Sequence, residues 1–196
     1  MSLLYVDDIR GKTAAASVDL SNATNLKMPA GAIIQTVQVR NTDESVFQSN
    51  SFSTMFSCSI TPKFNTSKIL ITMVTSASHR NHHSGLIRCY RTGVGSEAVV
   101  GGGKDVSSQG AFWSNVWFNI RKTHIGDNSG TLDQYSMHTY SANFLDSPAT
   151  TNALTYTMKG LSQDSGYGIY FNRTMNNNQA YDSPCASYIT LQEVSQ

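Results

Sequence analysis

The chain consists of short segments in which apolar and polar residues alternate, each ended by a turn. The clearest example is residues 143–151, where Asn-Phe-Leu-Asp continues an alternating strand and Ser147-Pro148 forms a polar turn. A new alternating segment, residues 153–158, begins almost at once. A period of two predicts strands, because successive side chains of a strand point to opposite faces. No stretch shows the spacing of a stable helix, so we predict an all-β protein.

About ten such segments succeed one another, separated by turns rich in Ser, Thr, Asn, Gly and Pro, as is typical of sandwiches and barrels. We expect one antiparallel β-sandwich, jelly-roll-like, over residues 29–196. Residues 69–74 are apolar on both faces and predict a central strand buried between two layers, whereas residues 41–50 predict a polar loop. The other predicted strands are residues 33–39, 56–60, 86–91, 97–100, 111–120, 135–144, 154–161, 167–173 and 188–194.

Residues 1–28 differ from the rest, because they are small and polar apart from one apolar cluster. A pure linker has no use for adjacent apolar groups, whereas a segment that orders on a partner does. We therefore predict an extended N-terminal arm over residues 1–28, which attaches the protein to a partner or to its own copies. The predicted attachment residues are Leu3, Leu4, Tyr5, Val6 and Ile9.

The low charge of the chain limits the partners it is expected to bind. Charged residues make up 14% of the 196 residues, and the formal net charge is +1. Lys and Arg are scattered, so no nucleic-acid footprint is visible. We find neither a secretory signal nor an apolar run of membrane-spanning length, and expect no secretion and no membrane insertion. A nearly neutral chain also lacks the self-repulsion that opposes assembly.

Three cysteines, Cys58, Cys89 and Cys185, lie far apart and form no Cys-x-x-Cys pair. An odd count argues against a closed disulfide framework. Cys58 and Cys89 fall within strand patterns, where a thiol acts as a small apolar group. We predict reduced, structural cysteines.

The sharpest candidate for a metal site is the segment His79-Arg80-Asn81-His82-His83. Neutral imidazole is the commonest metal ligand of proteins and suits Zn²⁺. However, adjacent His82 and His83 cannot easily face one metal from an extended segment, and Arg80 would repel a cation. We predict a polar loop, no metal and no other cofactor, with histidines that meet on an oligomer axis as the alternative.

No arrangement typical of an active site is present. The chain has no Gly-x-Ser-x-Gly elbow, and no His stands beside a recognisable nucleophile. The protein is therefore not expected to be an enzyme, and a carbohydrate-active sandwich with an Asp pair is a remaining alternative. Five acids fall in predicted turns, where Asp commonly bonds its own backbone: Asp105, Asp127, Asp133, Asp146 and Asp164.

Two groups of residues are candidates for an exposed recognition surface. Trp113 and Trp117 would share one face of the predicted strand at residues 111–120. Aromatic side chains on a sheet are most often core, but on the surface they would require a neighbouring subunit or a stacked sugar. The second group is a polar loop whose Tyr and Asn side chains supply contact area and hydrogen bonds: Asn176, Asn177, Asn178 and Tyr181.

Four segments resemble a β-rich virion protein domain. They are residues 29–35, residues 59–70 with Ser-Ile-Thr-Pro-Lys and Ser-Lys-Ile-Leu, residues 143–148, and residues 186–194 with Ala-Ser-Tyr-Ile-Thr-Leu-Gln-Glu-Val. The domain is common in tailed phages, particularly marine and cyanobacterial ones, and is usually labelled tail fibre or virion structural protein. The resemblance covers most of residues 29–194, includes the short lead at residues 5–10, and carries no catalytic residues.

This resemblance implies a subunit of a phage particle, made in the host cytoplasm and located in the virion. It implies a homotrimer whose loops face outward, towards host surface polysaccharide, and whose arm binds its trimer mates or another virion protein of the tail or capsid. Many fibre proteins carry the domain on a long repetitive shaft, which this sequence lacks. A capsid decoration protein that binds the head lattice through its arm is therefore the alternative.

Overall fold

A computed structural model describes residues 29–79, 84–104, 113–121, 136–163, 166, 168–178 and 183–196. The predicted arm at residues 1–28 lies outside them. The described residues contain eleven strands and no helix, and all strand pairs are antiparallel. The strands are β1 (Ile33–Asn41), β2 (Ser45–Phe47), β3 (Ser53–Ile60), β4 (Lys68–His79), β5 (Ser84–Thr92), β6 (Ala98–Val99), β7 (Phe118–Arg121), β8 (His138–Asp146), β9 (Leu154–Ser162), β10 (Ile169–Phe171) and β11 (Ser187–Val194).

The strands form two sheets. In sheet A, β8 pairs with one edge of β4, while β11 and β10 share the other edge of β4. β1 pairs with β11, and β2 pairs with β10. In sheet B, β9 lies between β3 and β5, and β7 and β6 share the far edge of β5. Three strand positions of the sandwich are therefore each filled by two short strands: β1 and β2, β10 and β11, and β6 and β7.

Counting β1 with β2, β6 with β7 and β10 with β11 as single interrupted strands leaves eight positions, four in each sheet. Numbered along the chain, sheet A has the order 1-8-3-6 and sheet B the order 2-7-4-5. This alternation between two four-stranded antiparallel sheets is the jelly-roll arrangement. The predicted jelly-roll-like β-sandwich is confirmed by the strand order itself.

The core lies between the two sheets and consists of alternate residues of each strand. On β4, Ile69, Ile71 and Met73 are fully buried, whereas the residues between them are half-buried. From sheet B, Tyr156 and Met158 of β9 belong to the same core. The prediction that residues 69–74 are buried on both faces is therefore wrong. No described layer covers the outer face of sheet A here, although Leu70 and Val74 are apolar.

Two other predictions of local structure are also wrong. Residues 113–117 form a turn rather than a strand, because Asn115 adopts a left-handed backbone conformation with φ of 55° and β7 begins only at Phe118. Asn is among the few residues that tolerate this conformation. Conversely, the predicted polar loop at residues 41–50 contains β2, a three-residue strand that pairs with β10.

A buried ion pair joins the two sheets. Asp146, the last residue of β8, accepts hydrogen bonds from Arg91 Nη1 of β5 at 2.6 and 2.9 Å and from the Tyr156 hydroxyl of β9 at 2.8 Å. The side chains of Arg91 and Asp146 are 15% and 9% exposed. Burial, reinforced by the Asp146 carboxylate, raises the pKa of Tyr156, which keeps its hydroxyl protonated as a donor. Asp146 thus ends a strand and does not lie in the predicted turn.

The cysteines differ in exposure. All three are free; Cys58 and Cys89 are buried and Cys185 is exposed, so Cys58 and Cys89 are the small buried groups that their strand patterns predict, and Cys185 is not. Burial raises the pKa of the Cys89 thiol, with a smaller contribution from the Asp146 charge, and burial raises that of Cys58. Because the thiolate is the reactive form, both thiols are also chemically protected.

We expect one fast-reacting thiol per native chain in a titration with Ellman's reagent, and three after unfolding in denaturant. A Cys185→Ser variant should lose the fast phase and keep the two slow thiols. A fast phase that persists in this variant would contradict the burial of Cys58 and Cys89.

Candidate functional site

A groove with a volume of about 500 Å³ crosses the outer face of sheet A. Arg40 of β1 lies opposite Tyr188 of β11, and Tyr188 lies opposite Val74 of β4, so the groove runs across neighbouring strands. Its volume is within the range of small-molecule sites. The lining residues are Arg40, Thr42, Glu44, Val74, Ser76, Thr139, Pro184, Cys185, Ala186 and Tyr188.

The groove is open because short side chains lie between longer ones. Ser76 of β4 and Thr139 of β8 lie opposite each other, and their hydroxyls are 3.2 Å apart. Arg40 and Tyr188 extend from the next two strands of the same sheet. The alternation of strand side chains places these residues on the outer face, opposite to the core residues.

Asn172 holds together the two chain segments that border the groove. It follows β10, is fully buried, and has a left-handed backbone with φ of 58°. Its Nδ2 donates to the Asn41 main-chain oxygen, to Asn41 Oδ1 and to the Asp43 main-chain oxygen, each at 3.1 Å. Its Oδ1 accepts from the Ser187 hydroxyl at 2.6 Å. The main-chain partners of Asn172 are Ser76 and Cys185.

These bonds explain how the interruption between β10 and β11 is stabilised. The chain leaves sheet A after Phe171 and returns at Ser187, and one amide side chain satisfies the main-chain groups of the neighbouring interruption between β1 and β2. Buried polar groups of this kind require partners. Asn172 thereby fixes the two borders of the groove to each other, and its main-chain bond to Ser76 fixes them to β4.

The groove carries one cation and one anion. Arg40 and Glu44 are exposed, and neither side chain forms a hydrogen bond or ion pair with a described residue. Together with the Ser76 and Thr139 hydroxyls and the half-buried Tyr188 ring, they offer donors, acceptors and an aromatic face with no net charge. This combination suits a neutral, hydroxyl-rich ligand better than a polyanion.

The described lining offers no catalytic machinery. It contains a single carboxylate and no histidine, whereas glycoside hydrolysis needs two carboxyl groups across a cleft. Cys185 is exposed, but the described lining contains no histidine that could act as its general base. Among the residues that the structure describes, no three His, Cys, Asp or Glu side chains are grouped closely enough to hold a metal ion. The described part of the chain also contains no helix long and apolar enough to cross a membrane.

Neither tryptophan lines the groove. Trp113 and Trp117 are half-buried. Trp117 Nε1 donates to the Val100 main-chain oxygen at 2.7 Å, and its ring meets that of Phe144 edge-on at 6.5 Å. Trp117 therefore packs at the edge of the core, between the two sheets.

The other sequence-predicted residues are also elsewhere. His79 is buried at the end of β4, with Nε2 3.3 Å from the Ser162 hydroxyl. Asn176 is exposed, whereas Asn177 and Asn178 are half-buried. The remaining predicted residues lie outside the described residues: Leu3, Leu4, Tyr5, Val6, Ile9, His82, His83 and Tyr181.

Comparisons with protein-family models and with curated proteins find no match. Among solved structures, the chain is similar to the VP2 subviral particle of infectious bursal disease virus, with 8% identity, a TM-score of 0.37, and 92% of this chain and 42% of that chain covered. The structure of the Gx strain of that virus is 8% identical, with a TM-score of 0.32, and the match covers 92% of this chain and 46% of that chain. A pentameric capsid protein from metagenomic phage sequences is 12% identical, with a TM-score of 0.27, and the match covers 87% of this chain and 91% of that chain. This chain spans less than half of the two bursal disease virus chains, and TM-scores this low do not establish a common fold.

Proposed function

We propose that the chain is a structural subunit of a phage particle, of the tail-fibre or receptor-binding type, that forms homotrimers and acts by binding rather than catalysis. The observation that carries this proposal is the jelly-roll strand order, with an open groove across the outer face of one sheet. Jelly rolls serve in viral capsid and lectin domains, which act through shape and surface. Because a fold alone does not define a function, the resemblance of residues 29–35, 59–70, 143–148 and 186–194 to a virion domain supplies the second argument.

Within this function, the groove is the recognition site for a neutral saccharide on the host surface. Sugars present many hydroxyls that both donate and accept, and an apolar ring face that packs on an aromatic side chain. Arg40, Glu44 and the two hydroxyls supply the hydrogen-bonding groups, and Tyr188 supplies the aromatic ring. No described residue pairs with the Arg40 or the Glu44 side chain, so both are available to hydrogen-bond a ligand.

The test is binding of the purified protein to immobilised bacterial surface polysaccharides and neutral oligosaccharides. An Arg40→Ala variant should bind the recognised glycan about tenfold more weakly or worse, since a hydrogen bond from a charged donor contributes about 1.5–3 kcal/mol. Gln38→Ala is the matched control, because Gln38 is exposed two residues earlier on the same strand and face but does not line the groove. It should bind like the wild type.

Cys185 provides an independent readout, because its exposed thiol lies in the groove lining. A bound saccharide should slow its reaction with Ellman's reagent. Equal losses of binding in both variants, or a thiol rate that bound glycan leaves unchanged, would place recognition elsewhere.

The second candidate function is capsid decoration, which the apolar cluster at residues 3–9 favours. A decoration protein should bind fibre-free empty phage heads and raise their melting temperature, and a Leu4→Asp, Val6→Asp variant should do neither. Binding to heads but not to cells or glycans would favour this function over receptor binding.

A further inference from the structure

The two sheets have four outer edges among the described residues, and three of them are interrupted. The edge formed by β1 and β2 contains a register shift between Ile33 and Gln35 and a break after Asn41. β3 contains a register shift between Thr54 and Phe56. The far edge of sheet B consists of two short segments, β6 and β7, of two and four residues. Bulges, breaks and short strands are the usual devices that prevent edge-to-edge pairing.

The fourth edge, β8, has none of these devices. Its nine residues pair with β4 without a register shift, from Asp146 opposite Ile69 to His138 opposite Ala77. Its other edge pairs with no described strand. No residue between His138 and Asp146 is charged, and none is proline. Phe144 and Leu145 are 38% and 43% exposed, two of the few large apolar side chains that are exposed in the described part of the chain.

The sequence of β8 is complementary to itself in the antiparallel direction. If two copies paired about a twofold axis at Ala142, Tyr140 would lie opposite Phe144 of the second copy, and Ser141 opposite Asn143. The two ionisable residues, His138 and Asp146, would also face each other, so no like charges would meet. An aromatic cross-strand pair and hydroxyl–amide pairs stabilise adjacent strands.

We propose that the β8 edge is a twofold interface, at which a second copy of this chain adds its own β8 in antiparallel register centred on Ala142. The pairing satisfies the free main-chain groups of both strands and joins two copies of sheet A into one continuous sheet. It covers the Phe144 ring with Tyr140 of the other copy. This interface does not rest on the proposed function, and it predicts an assembly that contains an even number of chains.

The test uses two double variants of the full chain on the exposed outer face of β8. In Ser141→Lys/Asn143→Lys, like charges lie opposite each other in the proposed register. In Ser141→Lys/Asn143→Glu, each lysine lies opposite a glutamate of the second copy. Sedimentation equilibrium should show the twofold association weakened by about tenfold or more in the first variant and restored in the second.

The matched control is Thr36→Lys/Gln38→Lys on the outer face of β1, the opposite edge of sheet A. Both positions are exposed, and this variant should keep the wild-type mass. Circular dichroism and thermal unfolding establish that each variant is folded. The proposal is overturned if the wild type contains an odd number of chains, if the Lys/Lys variant keeps the wild-type mass, or if the Lys/Glu variant dissociates like the Lys/Lys variant.

Discussion

Replacement of Asp146 by alanine is expected to lower the free energy of unfolding by about 3–5 kcal/mol. The substitution leaves the largely buried Arg91 guanidinium without its counter-ion and the fully buried Tyr156 hydroxyl without its acceptor. A buried charge that loses its partner costs more than a surface pair ever contributes, since the desolvation is no longer compensated. Urea unfolding of the variant and the wild type measures the difference.

The chain provides a matched control in the ion pair between Lys159 and Glu97. Its N–O distance is 2.7 Å, close to that of the Arg91–Asp146 pair, but the Glu97 side chain is 40% exposed. Glu97→Ala should therefore lower the free energy of unfolding by less than about 1 kcal/mol. Similar losses in the two variants would show that burial does not determine the contribution of Asp146, and would contradict its role as the link between the sheets.

Replacement of Asn172 by alanine is expected to lower the free energy of unfolding by about 3 kcal/mol and to weaken ligand binding in the groove. Alanine loses the amide that bonds Asn41, Asp43 and Ser187, which contributes about 1–2 kcal/mol. Alanine also pays about 1–2 kcal/mol for the left-handed conformation at φ of 58°. Urea unfolding gives the first effect, and the Ellman rate of Cys185 reports whether the groove border has moved.

Asn172→Gly separates the two contributions, because glycine adopts the left-handed conformation without the steric cost but lacks the amide. The free energy of unfolding of the glycine variant should be about 1 kcal/mol higher than that of the alanine variant. The reactivity of Cys185 should be similar in the two variants. If the glycine variant were as stable as the wild type, the amide bonds of Asn172 would contribute nothing to the fold.

The sequence predicts the strands best where one face is buried and the other is not. Phe56, Cys58 and Ile60 alternate with serines, and β3 has the expected faces. β2 was not predicted, since three residues are too few to show a period. The turn at residues 113–117 was predicted to be strand because its aromatic side chains favour strands. The composition of this segment does not predict the left-handed backbone of Asn115, which ends the strand pattern there.

The candidate site was not predictable from the sequence. Its lining comes from residues on four strand positions and two connections, which alternation alone cannot bring together. The partners of Asn172 and Asp146 likewise depend on strand order, because Asn41 is 131 positions and Arg91 is 55 positions away along the chain. Residue type alone makes Trp117 and residues 176–178 candidates for a binding surface. Arg40 becomes a candidate only from the strand pairing, which places it beside Tyr188.

The interruption between β10 and β11 makes one border of the groove separable from the rest of the fold. Residues 173–186 connect the buried Asn172 to β11, and the strand order is complete without them. A change in their length or composition therefore alters the rim of the groove while the hydrophobic core keeps its packing. If the groove binds the proposed ligand, we expect that exchange of residues 173–186 changes the ligand preference and leaves the strand order unchanged.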